Sequence, residues 1–325
     1  ISDTLWQLAA AEVHSQETEG EEDGAETVSE RTVFLMGSRA GGKTSILLRC
    51  LDRDEPSKTT LALEYTFGRR ARGHSAPKDI AHLWELGGGT SLSDLVQIPI
   101  TSSSIRSLSF ILILDLSKPN VLWGTMERLL QAAQAQLEKV SSKALQAQKT
   151  RPDRELISPF PVPLLIIGSK YDIFQEFDSD KRKVISKTLR FVAHYYAASL
   201  IVTSNTSLLL LFLNVVIRKT VSTDSSKPLI IPAGSDSFSQ IGSPPTADVD
   251  ITSLQAKNPK DLWKKVYERV FPPENTSEQK ELKDPAKDPQ YSEPQIDAMR
   301  AQKDQELDHY KRNAAKSWKG LELET

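Results

Sequence analysis

The chain has 325 residues, with 41 Lys and Arg against 43 Asp and Glu, a net charge of −2 and one cysteine. So even a balance excludes the broad basic field that draws a protein to nucleic acid or to an anionic membrane. Cys50 cannot form an internal disulfide and reads as a packing residue on a helix, which points to a reducing compartment.

The opening stretch, "ISDTLWQLAAAEV", has neither a basic flank nor a long apolar run, so no secretory signal is expected in it. Ser2 caps a short amphipathic helix bearing Leu5, Trp6, Leu8, Ala9 and Val13, and the acidic "ETEGEEDGAE" (17 to 26) reads as a solvated linker. Residues 1–30 therefore form an N-terminal helix and linker. "TVFLMG" (32 to 37) is a strand running into a glycine loop, and "KTSILLRCL" (43 to 51) is the following helix. "LALEYTFGRR" and "DIAHLWEL" alternate in the β manner and predict a hairpin.

"LSFILILDLS" (108 to 117) is almost continuously apolar, as in a strand buried on both faces of a parallel sheet. A long helix is expected from about Val121 to Leu145, then a buried strand in "VPLLIIGSKYD". The next helix carries Val184, Ile185, Leu189, Val192 and Tyr196 on one stripe, and "SLIVTSN" is a last strand. The greasiest stretch, "LLLLFLNVVI" (208 to 217), has about half the ~20 residues of a membrane span and reads as a buried helix. No membrane insertion is expected, and the chain reads as soluble and intracellular. Strands alternating with helices over 31–220 predict an α/β domain with a mostly parallel, doubly wound sheet.

From Val221 the composition shifts to Ser, Gly and Pro, and 221–325 reads as an extension of loops and partner-binding helices. Asn258-Pro259 caps a helix whose apolar positions are Leu262, Trp263, Val266, Tyr267, Val270 and Phe271. That stripe suits packing on the chain's own α/β domain or contact with another subunit. "PQIDAMRAQKDQELDHYKR" (294 to 312) has only the thin seam Ile296, Met299, Leu307 and Tyr310, too little to fold alone.

Chemistry concentrates in "GSRAGGKT" (37 to 44), which fits G-x-x-x-x-G-K-[ST] between a strand and a helix. Gly37, Gly41 and Gly42 allow close backbone approach, so successive N–H groups can point at phosphate oxygens. Lys43 would bridge the β and γ phosphates, Ser45 is counted with the loop as nucleotide-binding, and the Thr44 hydroxyl would ligate Mg²⁺.

Further motifs follow in the order of a Ras-like G domain. "TLALEY" (60 to 65) resembles the first switch of Rab-type proteins, which gives Thr60 a contact to Mg²⁺ and the γ-phosphate. "ELGG" (85 to 88) stands in the place of D-x-x-G, with Gly88 as its glycine. "SKYD" (169 to 172) stands where N-K-x-D reads guanine: Lys170 would lie along the base and Asp172 would accept from guanine N1–H and N2–H₂, with "TSN" (203 to 205) at the base carbonyl. Taken singly, Thr60 also reads as a plain strand residue and Asp172 as a helix cap. The set predicts a guanine nucleotide with Mg²⁺, metal ligands Thr44 and Thr60, and no catalytic residue.

Departures from the pattern bear on hydrolysis. Glu85 replaces aspartate, which puts a water-mediated hold on Mg²⁺ in doubt. Gly89 stands where a Ras-like hydrolase carries the glutamine that orients water. Arg39 brings bulk towards the γ-phosphate, and Ser169 replaces the asparagine that ties the base loop to the phosphate loop. Binding is expected to survive these changes and efficient hydrolysis is not.

"LDRDEP", "TLALEYTFGRR", "PKDIAHLWELGGGTSL", "FPVPLLIIGSKYDIF", "LRFVAHYY", "QIGSPP", "LWKKVYERVFPP" and "DPAKDPQY" together resemble the dynein light intermediate chain family, in its cytoplasmic dynein 2 branch. The resemblance spans the chain, with two stretches, Lys143 to Arg151 and Asn214 to Asp224, shorter than the family pattern. It implies a non-catalytic subunit docked on the dynein 2 heavy chain tail alongside the other dynein 2 subunits. It also implies service to the intraflagellar transport machinery in the cytoplasm, the ciliary base and the axoneme. The rival expectations are an active Rab-like switch that hydrolyses GTP and a fold that has lost nucleotide altogether.

Overall fold

A computed structural model describes residues 30–70, 79–140, 156–202, 221–245, 255–274 and 293–321. The expected N-terminal helix, the acidic linker, "TSN" and the apolar stretch at 208 to 217 lie outside these residues. So does most of the two short stretches.

Among the described residues, seven strands form one sheet in the order β2-β3-β1-β4-β5-β6-β7. They are β1 (Glu30–Gly37), β2 (Leu63–Arg70), β3 (Asp79–Leu86), β4 (Leu108–Asp115), β5 (Leu164–Ser169), β6 (Ser199–Val202) and β7 (Leu229–Ile231). β3, β1, β4, β5 and β6 run parallel, while β2 and β7 pair antiparallel at the two edges. The helices are α1 (Lys43–Cys50), α2 (Pro119–Val140), α3 (Tyr171–Gln175), α4 (Ser179–Tyr195), α5 (Phe238–Ile241), α6 (Pro259–Val270) and α7 (Pro294–Leu321). This is the Ras-like α/β arrangement that the alternating pattern predicts.

Alternate residues of the central strands serve two cores, because successive side chains leave opposite faces. Phe34, Met36, Phe110, Leu112 and Leu114 join α2 and α4 on one face, with Trp123, Met126, Leu189 and Phe191. Leu35, Ile111 and Ile113 meet Ile46 and Leu47 of α1 on the other, where half-buried Cys50 packs. Burial pushes the Cys50 thiol up to about 11. The predicted stripe of α4 is wholly buried.

The α/β unit does not stop near 220. Residues to Glu274 belong to one compact unit and Asn275–Thr325 to another. β7 extends the sheet against β6, and α6 packs on α2 and α4: Trp263 stacks on Phe191 with centroids 4.6 Å apart, and Tyr267 lies 5.9 Å from Trp123. The Tyr267 hydroxyl donates to the Pro119 carbonyl at 2.9 Å, and Lys264 donates to Glu127 at 2.6 Å. The extension expected over 221–325 is thus divided, its first part completing the sheet and core. The physical reason is the wide apolar face of α6, which the core of this chain is large enough to bury. Arg190 of α4 locks the return segment with paired bonds of 2.8 Å to Asp236.

Candidate functional site

β1 delivers the chain to its loop at Gly37, where a Cβ would lie 1.9 Å from the Ile113 carbonyl oxygen of the neighbouring strand. Only glycine fits so close an approach. Gly41 donates its N–H to the Ser38 carbonyl at 3.1 Å, which closes the turn. Gly42, at φ 85°, starts α1 with no side-chain cap, and a Cβ there would meet nothing within 4 Å. The first N–H groups of α1 have no side-chain cap, and the helix dipole adds positive potential at that point.

Lys43 is buried, with its ammonium donating to the Ser38 carbonyl at 2.9 Å. Burial lowers its proton affinity and the Glu85 carboxylate partly restores it. A buried cation on a neutral acceptor beside uncapped N–H groups is the donor set that phosphate oxygens satisfy, so the residues fit a nucleotide's phosphates. Ser45 points away, into a polar recess with Arg49, Arg53 and Ser57 on the outer side of α1.

Thr44 donates its hydroxyl to Glu85 Oε1 at 2.8 Å, and its oxygen lies 3.4 Å from that of buried Thr60. Glu85 is buried at the end of β3. Burial raises its proton affinity, against the hydroxyls of Thr44 and Thr60 and the charge of Lys43. These oxygens from three elements suit a hard divalent cation. Gly87 donates to the Ala62 carbonyl at 2.6 Å and so ties the second switch position to the first. Gly88 and Gly89 both have left-handed backbone, at φ 68° and 63°. Beyond them the segment turns straight into the core, burying Val96 and Ile100.

At the base side, Lys170 has left-handed backbone (φ 56°) and its ammonium pairs with Asp115 Oδ2 at 2.6 Å. Asp172 stands exposed in the first turn of α3. Sequence reasoning missed Asp115. Its backbone N–H donates to Ser38 Oγ at 3.1 Å, and Oδ1 accepts from the N–H and hydroxyl of Ser117 at 3.0 and 2.6 Å. Phosphate loop and base loop are thus joined through Asp115, while the Ser169 hydroxyl donates to the Leu114 carbonyl at 3.2 Å. An acid ending the apolar run "LILD" was the available signal. The structure brings the loop glycines, Lys43, Thr44, Thr60 and Gly88 together at one end of the parallel strands, with Lys170 joined to them through Asp115. Ser45 stands outside that cluster.

A family model described as dynein light intermediate chain (DLIC) matches residues 2–161. Cytoplasmic dynein 2 light intermediate chain 1 of Danio rerio is 63% identical over 352 aligned positions, covering 99% of this chain and 98% of its own.

The chain belongs to the dynein light intermediate chain family.

The Homo sapiens relative of the same name is 57% identical over 350 positions, covering 100% of this chain and 99% of its own. These alignments are longer than the 325-residue chain, so the relatives carry internal residues with no counterpart here. A crystal structure of the dynein light intermediate chain's conserved domain shares the fold at TM-score 0.55 and 16% identity, covering 75% of this chain and 98% of that one.

Proposed function

We propose that this light intermediate chain is a non-catalytic accessory subunit of cytoplasmic dynein 2, binding the heavy chain tail and serving retrograde intraflagellar transport and cilium assembly. Similarity to dynein 2 light intermediate chains over the whole length, including both ends, supports the assignment to that motor. Its cradle holds a guanine nucleotide with Mg²⁺ as a structural ligand, with Lys43 and the loop N–H groups on phosphate, Thr44 and Thr60 towards the metal, and Asp172 towards guanine.

The observation that carries the non-catalytic part is Gly89. It has no side chain to orient water, and its left-handed backbone lies against Arg39, so that a Cβ would sit 3.2 Å from the Arg39 nitrogen. Positioning supplies most of the catalysis of phosphoryl transfer, and here the positioning group is missing. A single-turnover assay with radiolabelled GTP is expected to show no phosphate release above the uncatalysed background. Hydrolysis at the rate of an assisted GTPase would favour a cycling switch instead. In the same preparations, Lys43→Ala is expected to lower melting temperature and assembly with the heavy chain together, because a ligand of the folded state adds stability by mass action.

A further inference from the structure

Thr44 lies in the first turn of α1, Thr60 in the loop before β2, and Glu85 one residue before the end of β3, yet their side-chain oxygens meet. Thr44 Oγ1 is 2.8 Å from Glu85 Oε1 and 3.4 Å from Thr60 Oγ1, and Glu85 also accepts from the Thr60 hydroxyl. Neighbouring oxygens around an octahedral Mg²⁺ with bonds of about 2.1 Å lie about 3 Å apart. The two distances from Thr44 Oγ1, to Glu85 Oε1 and to Thr60 Oγ1, are therefore close to the spacing of neighbouring ligands in such a shell.

We propose that Glu85 is a direct ligand of the divalent cation that accompanies the nucleotide, taking a coordination position that a shorter aspartate would leave to water. This rests on the reading of the cradle as a nucleotide site. Surroundings agree with the role, because Glu85 is only 2% exposed. Lys43 donates to the Ser38 carbonyl, and its charge also acts on Glu85. A divalent cation would add further counter-charge. Two hydroxyls and a carboxylate are hard donors that suit Mg²⁺ or Mn²⁺, with no sulfur or imidazole among them.

Mn²⁺ allows the ligands to be counted. The full chain is loaded with GDP and Mn²⁺, and electron paramagnetic resonance line broadening in ¹⁷O-enriched water reports how many waters bind the metal. Glu85→Asp is expected to hold one more water than the parent. Glu85→Gln, which keeps the acceptor for Thr44, is expected to bind Mn²⁺ at least about tenfold more weakly while its metal-free melting temperature is unchanged. Equal water counts in the parent and Glu85→Asp, with GDP recovered from both, would overturn direct ligation and leave the nucleotide reading standing. Failure to recover GDP from the parent after loading would overturn both.

Discussion

At Gly89 the proposed lack of hydrolysis rests on backbone as well as on the absent side chain. A residue with a Cβ at φ 63° costs about 1 kcal/mol in backbone strain, and its Cβ would press on the Arg39 backbone at 3.2 Å. Gly89→Gln is therefore expected not to restore hydrolysis, since the restored amide starts from the wrong backbone. Phosphate release raised by about tenfold or more over the parent would contradict this. Residues of the loop were legible because Gly37, Gly42 and Lys43 act within eight consecutive positions. Asp115 was not, since its partners Ser38, Ser117 and Lys170 converge only when β4 lies between β1 and β5.

Among the elements, α6 and α7 share an amphipathic description and differ in outcome. Asn258 caps α6 as the sequence implies, its side chain accepting from the Asp261 N–H at 2.8 Å. Trp263 is 5% exposed and stacked on Phe191, whereas Ile296 of α7 is 57% exposed. Trp263→Ala is expected to cost ~3–5 kcal/mol, read from the urea unfolding midpoint. Ile296→Ala is expected to stay within ~0.5 kcal/mol of the parent. A large loss at Ile296, or none at Trp263, would reverse these roles. Periodicity revealed both apolar faces, but which surface takes a face depends on the tertiary packing. β7 escaped notice for another reason: three residues of "PLIIP" give alternation too little length to be read.

For the whole molecule, the division near Glu274 sets what can be removed. Truncation before Asp284 keeps β7 and α6 and deletes α7, so the α/β unit is expected to melt as the full chain does. Binding to the heavy chain tail is expected to weaken, because α7 carries Ile296, Met299, Leu307 and Tyr310 in the open. Pull-down or calorimetry with the tail checks this, and unchanged affinity would refute it. The mostly parallel sheet was legible as alternating strand and helix patterns, while the strand order was not. The true end of the folded unit was not, because "AGSDSFSQIGSPP" looks like the start of a linker and is held in place by Asp236 on Arg190, a partner 46 residues away.

The seal made by α6 has a consequence in time. The Tyr267 hydroxyl reaches a carbonyl 148 residues earlier, at Pro119. At ~5–20 residues per second, the ribosome delivers the second partner roughly 7–30 s after the first. Through about the second half of that interval both Trp123 and Phe191 have been made, but Tyr267 and Trp263, which cover them in the finished protein, have not. Each nascent molecule thus passes through a stage of several seconds with part of its aromatic core open to water. Its yield in the cell should depend on how well that stage is shielded.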